Sequence, residues 1–321
     1  MAKIGQDIAL AKQLLEQGEL VAIPTETVYG LAANALNPDS VSRIFETKNR
    51  PAFDPLIIHT DAIEKVGRFV LEFPDPLKLL AEAFWPGPLT LLLPRRPIIP
   101  DLVTSGLDQV AVRIPSHPLT KSLLSTLDFP LAAPSANPFG YISPTSAAHV
   151  QKQLGEKIPY ILDGGKCEVG LESTIVGMED GEIIIYRLGG LELSAIEARV
   201  GQVQVKTHSS SNPSAPGLLE SHYAPRKRLI LGDLEAMVSA HIHKELDFGV
   251  LSFQRKFRDV PHNRQVQLSE SGNLREAAQK LFSAMRELDE LEVDCILAER
   301  LPDEGLGKAI NDRLQRASAG N

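Results

Sequence analysis

The sequence predicts an α/β protein in which a large, mixed and twisted sheet is flanked by helices and followed by a small α/β domain. Along residues 1–206, short apolar runs of strand length alternate with amphipathic helical patterns. A segment without large apolar residues, Thr207–Pro216, then interrupts the pattern, which resumes on a smaller scale. The length of 321 residues is enough for two domains that each bury a core.

The first part of the chain supplies the strands and helices of the large sheet. Pro144 fits the first turn of its helix, and Ser194 with Glu197 fits a capping box that opens a further short helix. The candidate strands are Leu20–Ile23, Leu56–His59, Leu89–Leu93, Val110–Ile114, Leu131–Ala133, Tyr160–Leu162, Thr174–Val176 and Ile183–Arg187. The candidate helices are Ile8–Gln17, Ser40–Thr47, Pro76–Phe84, Leu119–Leu127 and Pro144–Leu154.

The last part of the chain predicts a smaller α/β unit. Apolar residues from Leu274 to Leu291 recur three and four positions apart, which predicts an amphipathic helix with its apolar side on the core. A final helix is predicted over Lys308–Ala317. The candidate strands here are Leu229–Leu231, Gly249–Phe253, Val266–Leu268 and Cys295–Ala298. The predicted domains are therefore 1–206 and 227–321, joined by a linker over 207–226.

The end of the predicted linker contains apolar and aromatic residues that a flexible spacer does not need. Leu218, Leu219, His222 and Tyr223 follow the polar stretch, and exposed apolar groups gain nothing in water. We therefore expect residues 217–225 to fold over the crevice of the first domain as a lid. The alternative is that these side chains only join the two domains.

Composition and charge restrict the class of protein. Lys plus Arg number 33 and Asp plus Glu 41, a net charge of −8 that argues against general affinity for nucleic acid. The only cysteines, Cys167 and Cys295, exclude a disulfide framework and a CxxC metal site and suit a reducing compartment. No signal peptide and no apolar run of the ~20 residues needed to span a bilayer is visible. We expect a cytoplasmic protein without a membrane segment.

Polar residues stand where the apolar strands end. Arg113 lies in one apolar strand, Ser135 and Asn137 stand at the end of another, and Lys48 and Arg50 follow a predicted helix. Ligands of open α/β sheets bind at such strand ends, and Lys and Arg suit anionic oxygens. The sequence contains no Walker phosphate loop. These residues predict an anion-binding crevice that does not depend on such a loop.

Each of these signals also has a simpler interpretation. A pair such as Lys48 and Arg50 is usually solvated at the surface, and Ser135 with Asn137 before Pro138 is more often a turn. Their combination, rather than any single one, favours a site.

Three further residues leave alternatives open. Arg113 needs a partner if it is buried. His59 is equally well explained as a strand-end histidine with its hydrogen bonds satisfied or as part of a site. Cys167 would be a thiol nucleophile only with an activating group nearby, and a small buried cysteine is the more common case.

These stretches, in this order, resemble the threonylcarbamoyl-AMP synthase family, which is built on the YrdC-type domain. The resemblance covers nearly the whole chain and implies the two-domain branch, with a YrdC-like catalytic domain and a small Rossmann-like C-terminal domain. The matching stretches are PTETVYGLAANA (24–35), KNRPAFDPLIIH (48–59), FWPGPLTLLL (84–93), VAVRIPSHP (110–118), APSANPFGYISPT (133–145), LDGG (162–165), ESTIV (172–176), YRLGG (186–190) and APGLLESHYAP (215–225).

The resemblance implies a reaction in which L-threonine, bicarbonate and ATP give threonylcarbamoyl-AMP and pyrophosphate, for the threonylcarbamoyladenosine modification of tRNA. Mg²⁺ would be carried by ATP, so no protein metal site is expected. The product would pass to a tRNA threonylcarbamoyl transferase, and contact with tRNA is not required. The alternative is a non-catalytic RNA-binding or regulatory protein on the same fold, against which the net charge of −8 weighs.

The resemblance also implies roles for individual residues. Asp54 stands where the family is expected to have Asn or His, and Gln109 where Thr is more usual. The implied catalytic residues are Lys48, Arg50, Ser135 and Asn137. The implied ATP contacts are Arg50, Asp54, Gln109, Ser135, Ser143, Arg187 and Tyr223. The implied L-threonine contacts are Thr27, His59, Arg113, Ala133 and Ser173.

Overall fold

The computed structural model describes residues 1–206 and 221–320, which form two compact units. The first unit contains Met1–Phe139, Ser143–Glu168 and the described residues from Glu172 onward. The second contains the described residues after 220 together with two short earlier segments, Gly140–Ile142 and Val169–Leu171. The predicted linker segment Thr207–Pro216 lies outside the described residues.

The described part of the first unit forms an 11-stranded mixed sheet, as the sequence predicts. Its strand order is β1-β8-β2-β3-β7-β4-β6-β5-β9-β10-β11. The strands are β1 (Lys3–Gly5), β2 (Val21–Ile23), β3 (Gly30–Asn34), β4 (Ile57–His59), β5 (Leu89–Pro94), β6 (Gln109–Arg113), β7 (Leu131–Ala132), β8 (Tyr160–Leu162), β9 (Thr174–Glu179), β10 (Glu182–Arg187) and β11 (Gln204–Val205). The predicted mixed sheet is confirmed, while β1, β3 and β11 are strands that the sequence analysis missed.

Helices flank this sheet, and the end of one of them explains where the predicted site residue Lys48 lies. Helix α2 starts at an Asn37 cap, whose side chain accepts from the Asp39 and Ser40 amides, and ends at Lys48 because Asn49 adopts the left-handed conformation (φ 53°). The helices are α1 (Ile8–Glu16), α2 (Pro38–Lys48), α3 (Asp75–Phe84), α4 (Asp101–Thr104), α5 (Pro118–Ser125), α6 (Ala147–Leu154) and α7 (Leu193–Val200), with a 3₁₀ helix over Ile63–Arg68.

Two predicted helix starts are wrong. Helix α6 begins at Ala147 rather than at Pro144, because Ser146 accepts a hydrogen bond from the His149 amide and so caps it. Helix α7 begins at Leu193 without a side-chain cap, so Ser194 lies inside the helix and forms no capping box. The chain entering α7 is instead held by the Thr174 hydroxyl, which donates to the Leu191 carbonyl at 2.7 Å.

The two faces of the sheet bury different apolar clusters. Ile58, Leu91 and Val112 belong to the large cluster, whereas Ile57, Leu92 and Ala111 belong to a smaller one. Because successive side chains of a strand point to opposite faces, Gln109 and Arg113 share the face of Ala111 in β6. The residues at the carboxyl end of this strand are thereby presented on the face of the smaller cluster.

The second unit is a small parallel α/β sheet, as predicted. Its described strands follow the order β12-β15-β13-β14 and all pair in parallel. The elements are β12 (Arg228–Leu231), α8 (Leu234–His243), β13 (Phe248–Ser252), β14 (Gln265–Gln267), α9 (Leu274–Asp289), β15 (Cys295–Ala298) and α10 (Leu306–Ser318). Helix α9 carries the predicted apolar stripe and ends at Asp289, slightly before the predicted Leu291.

The two short earlier segments of the second unit pack on helix α9. The Tyr141 hydroxyl donates to Asp289 Oδ2 at 2.6 Å, and the Asp289 side chain is completely buried. Gly170 lies so close to the same helix that an added Cβ would be 2.5 Å from the Gln279 Cα. A side chain at position 170 would therefore collide with the helix backbone.

Within residues 1–206 and 221–320, no helix combines the length and hydropathy that crossing a membrane demands.

Candidate functional site

The strand ends of the first unit bring three predicted site residues together. Arg113 closes β6 and lies in register with His59, which closes the parallel strand β4. On its other side Arg113 lies opposite Thr90 of β5, and the Thr90 hydroxyl is 2.7 Å from the hydroxyl of Ser173. His59, Arg113 and Ser173 therefore surround one end of the central strands.

Arg113 is buried and already paired within the chain. Its Nη2 lies 2.6 Å from Glu26 Oε1, and its Nε donates to the Gly87 carbonyl at 3.3 Å. The other oxygen of Glu26 accepts from the Ser116 amide at 3.0 Å. Glu26 supplies the charge partner that a buried arginine requires. Sequence reasoning missed Glu26, although that same requirement was a reason to look for an acid near a strand end.

His59 is neutral at physiological pH. It is 2% exposed, and burial, assisted by the positive charge of Arg113, lowers its pKa to about 3. Its Nδ1 lies 3.4 Å from the Leu131 carbonyl, an acceptor, so Nδ1 carries the proton. A neutral imidazole beside Arg113 adds a hydrogen-bonding group to the site without adding charge.

The neutral state of His59 predicts how stability depends on pH. The unfolded histidine binds a proton below its usual pKa of 6.5, whereas the folded one binds it only near pH 3. The unfolded chain therefore holds more protons between these values, and stability is lost as the pH falls through this window. The stability that the wild type loses across this pH window should be smaller in His59→Asn, by at most about 5 kcal/mol in the free energy of unfolding.

Urea unfolding between pH 3.5 and 7 tests this prediction. Fluorescence of Trp85, the single tryptophan of the sequence, reports the first unit alone. The matched control is His243→Gln, which removes an exposed histidine of the second unit and should leave the pH dependence as it is. An identical slope for the wild type and His59→Asn would contradict a buried neutral His59.

Thr27 and Ala133 lie on two segments next to these strands. The Thr27 hydroxyl is 2.8 Å from the Thr25 hydroxyl, and Thr25 Oγ1 donates to the Val28 carbonyl at 2.6 Å. The amide of Ala133 donates to the Ile57 carbonyl at 3.0 Å. Gly30 packs closely here, since an added Cβ would lie 3.2 Å from the Ala133 Cβ. Thr27 is therefore positioned by its hydroxyl contact with Thr25, and Ala133 by a backbone hydrogen bond.

Lys48 is buried against the loop that carries Ser135 and Asn137. Its Nζ donates to the carbonyls of Ser135 and Asn137 at 2.6 and 2.5 Å, and it is 1% exposed. Burial, with the charge of Arg50, holds the pKa of Lys48 well below its usual value. The interpretation of Lys48 and Arg50 as a solvated surface pair is therefore wrong.

Arg50 holds its own loop together. Its Nη2 lies 3.0 Å from Asp54 Oδ2 and donates to the Pro55 carbonyl at 2.8 Å. Its guanidinium carbon also lies 5.7 Å from the centre of the Phe139 ring. The side chain of Asp54 is completely buried, and the adjacent Arg50 balances its charge. Asp54 thus adds no uncompensated negative charge to the site.

Ser143, Ser173 and Arg187 form a second polar group. The Ser143 hydroxyl donates to Glu172 Oε1 at 2.5 Å. Arg187, on β10, donates to the Ser173 carbonyl through Nε at 3.1 Å and to the Ser173 hydroxyl through Nη2 at 3.1 Å. Arg187 thereby links the predicted ATP contacts to the Ser173 end of the site. Glu172 is a further residue that sequence reasoning missed.

Two further predicted ATP contacts, Gln109 and Tyr223, lie on other elements. Gln109 opens β6, about 13 Å along the strand from Arg113. Tyr223 belongs to the second unit, where its ring stacks on Phe282 with centroids 5.6 Å apart and lies 4.9 Å from the Arg313 guanidinium carbon. Of the expected lid, residues 217–220 lie outside the described residues.

Cys167 has no nucleophilic character. It is 2% exposed, and burial, with the negative charge of Glu26, raises the pKa of its thiol to about 12. The thiolate is the reactive form, so the structure supports the simpler interpretation of a small buried side chain.

Known proteins match both parts of the chain. Residues 13–189 match the family model described as telomere recombination, and residues 191–319 match that of the threonylcarbamoyl-AMP synthase C-terminal domain. Threonylcarbamoyl-AMP synthase of Pyrococcus abyssi is 39% identical over 97% of this chain and 94% of its own length. The Bacillus subtilis protein of that name is 39% identical over 98% of this chain and 93% of its own length. The crystal structure of P. abyssi Sua5 complexed with L-threonine matches with a TM-score of 0.93 at 37% identity, covering 100% of this chain and 98% of that one.

Proposed function

The chain belongs to the threonylcarbamoyl-AMP synthase family, and from this premise we propose how its residues share the work of the reaction. It is a nucleotidyl-transferring enzyme that uses ATP and L-threonine in tRNA modification. The non-catalytic RNA-binding alternative is not favoured. The observation that carries the proposal is the convergence of His59, Arg113 and Ser173 at one end of the central strands.

The threonine part of the site is proposed to lie at this end. Arg113 would bind the α-carboxylate, for which a guanidinium is the best matched side chain. The neutral His59 and the hydroxyls of Thr27 and Ser173 would frame the remaining polar groups, and Ala133 would lie against the aliphatic part. These residues are buried, so they are shielded from competing water.

The nucleotide part is proposed to extend from Ser173 to the Lys48 loop. Arg187 and Ser143 would contact phosphate oxygens, with Arg50 and Ser135 on the other side. Lys48 would act mainly by holding the backbone of Ser135 and Asn137 in place, since its ammonium group already donates to both carbonyls. Asp54, Gln109 and Tyr223 complete the proposed set of ATP contacts.

The proposed chemistry needs no protein nucleophile. The deprotonated threonine amine attacks the carbon of bicarbonate, and loss of water gives a carbamate. A carbamate oxygen then attacks the α-phosphorus of ATP, the bond from that phosphorus to the bridging oxygen breaks, and pyrophosphate leaves. Catalysis of this kind rests on positioning and on cations around the phosphates.

Mg²⁺ is proposed to enter with the nucleotide. The described His, Cys, Asp and Glu side chains form no group of three or more that could hold a metal ion without ATP. A cation bound through the triphosphate oxygens would neutralise their charge. The mixed anhydride product hydrolyses readily, so we further propose a direct hand-off to a tRNA threonylcarbamoyl transferase.

Pyrophosphate release tests the proposed function. We expect release from MgATP only when L-threonine and bicarbonate are both present, together with a product whose mass equals that of threonylcarbamoyl-AMP. Omission of each substrate in turn is the control. Release that does not depend on threonine would contradict the proposal, and tRNA binding without any release would revive the RNA-binding alternative.

A further inference from the structure

The ion pair between Glu26 and Arg113 joins parts of the first unit that are not adjacent in the sheet. Glu26 follows β2 and Arg113 closes β6, and strands β3, β7 and β4 lie between these two in the strand order. Each of the two residues is 4% exposed, and their charged atoms are 2.6 Å apart. The loop after β2 therefore delivers a buried negative charge to the arginine at the proposed threonine end.

Both members of this pair are held in a fixed orientation. Glu26 uses Oε1 for Arg113 and Oε2 for the Ser116 amide, and Arg113 uses Nε for the Gly87 carbonyl. Within residues 1–206 and 221–320, Arg113 Nη1 makes no hydrogen bond to the protein. One nitrogen of an oriented guanidinium thus remains for a ligand.

The charge of this region suits a zwitterion. Arg113 and Glu26 cancel each other, and His59 is neutral, so the group has no net charge before a ligand binds. An α-amino acid also has no net charge, but it carries a carboxylate and an ammonium group. Arg113 alone would leave one uncompensated positive charge once threonine is buried, and such a charge is costly. With Glu26 present, every charge in the complex has a partner.

We propose that Glu26 and Arg113 together recognise the charged groups of the α-amino acid, with Arg113 binding the α-carboxylate through Nη1 and Glu26 facing the α-ammonium while it orients Arg113. The inference rests on the proposed function and adds the source of its selectivity. A 2-hydroxy acid of the same shape carries only the carboxylate. When such an acid binds, no ammonium group balances the negative charge of Glu26. The pair should therefore bind the 2-hydroxy acid more weakly than the amino acid.

Glu26→Gln tests this inference, because it keeps the side-chain volume and removes the charge. L-threonine and 2,3-dihydroxybutanoate, in which a hydroxyl replaces the ammonium group, are titrated calorimetrically into the wild type and the variant. We expect threonine to bind about 10–100-fold more weakly to Glu26→Gln, as for loss of one partner of a buried charge pair. The affinity for dihydroxybutanoate should stay the same or rise, and the affinity for ATP should not change.

The controls separate this role from a purely structural one. Glu19→Gln removes a half-exposed acid of the first unit that pairs with Arg43, and it should change no affinity. If Trp85 fluorescence shows that Glu26→Gln does not fold, the same titrations on Glu26→Asp test the inference instead. It keeps the charge but breaks the 2.6 Å contact, so threonine should bind more weakly and still be preferred over dihydroxybutanoate.

An unchanged preference for threonine in Glu26→Gln would overturn the inference, and so would an equal loss of affinity for threonine and ATP. For Glu26→Asp, unchanged threonine affinity or a lost preference would overturn it. A wild type that does not bind threonine at all would instead contradict the proposed function, so the two failures are distinguishable.

Discussion

Replacement of Arg113 by alanine is expected to weaken the binding of L-threonine by about 2–4 kcal/mol, the range for breaking a desolvated charge pair. The α-carboxylate would lose the only proposed cation at this end of the site. ATP affinity should change much less, because the proposed phosphate contacts lie on other segments. Calorimetric titration of both ligands measures the difference.

The fold of this variant needs its own control, since the substitution also takes the partner of Glu26 away. Trp85 fluorescence during urea unfolding shows whether the first unit is intact. Arg43→Ala, at a half-exposed ion pair of the same unit, should leave both ligands unaffected. Normal threonine affinity in folded Arg113→Ala would refute the assignment of the carboxylate to Arg113.

Replacement of Lys48 by methionine is expected to abolish most turnover and to destabilise the first unit. Methionine fills much of the space, but the Ser135 and Asn137 carbonyls lose the donor that now lies 2.6 and 2.5 Å away. The Asn137 contact is buried and the Ser135 contact is partly buried, so loss of the donor costs at most about 2–6 kcal/mol, at 1–3 kcal/mol for each fully buried carbonyl. The urea midpoint and the rate of pyrophosphate release measure the two effects.

The matched control for this variant is Lys157→Met. Lys157 is exposed and donates to the Thr47 carbonyl, at the end of the same helix as Lys48. Neither its stability nor its turnover should change appreciably. A stable Lys48→Met protein without activity would show that Lys48 acts only on the substrates, and a destabilised protein with full turnover would show that the loop does not need it.

The elements of the fold could be predicted where apolar runs mark them. Tyr160–Leu162 and Cys295–Ala298 are strands over the residues that the sequence pattern gives, because buried strands need continuous apolar side chains. β3 was missed because its sequence GLAAN consists mostly of small residues, with Leu31 as its one large apolar side chain, so it carries no clear periodicity. Its small residues follow from close packing, as the approach of Gly30 to Ala133 shows.

The contacts within the candidate site were harder to predict from the sequence than the strands were. Residue types and strand ends indicated a crevice, but the partner of Arg113 lies 87 positions away along the chain, and so does the Ser135 carbonyl that Lys48 binds. Contacts at that separation depend on strand order, which spacing and composition do not contain. The burial of Lys48 and the role of Glu26 therefore required the three-dimensional structure.

The two short segments that pack on helix α9 make this protein less modular than the predicted linker suggests. The composition of the chain suggests a cut after Lys206. In the resulting N-terminal fragment, Tyr141 would lack its partner Asp289, and Gly170 would lack the surface of helix α9 on which it packs. A C-terminal fragment would in turn keep Asp289, completely buried in the intact chain, without Tyr141. Either fragment expressed alone would therefore expose surface that is covered in the intact chain, so aggregation or loss of activity in such a fragment would say little about catalysis. Gene fusions and domain swaps with related enzymes need to exchange positions 140–142 and 169–171 together with the C-terminal part.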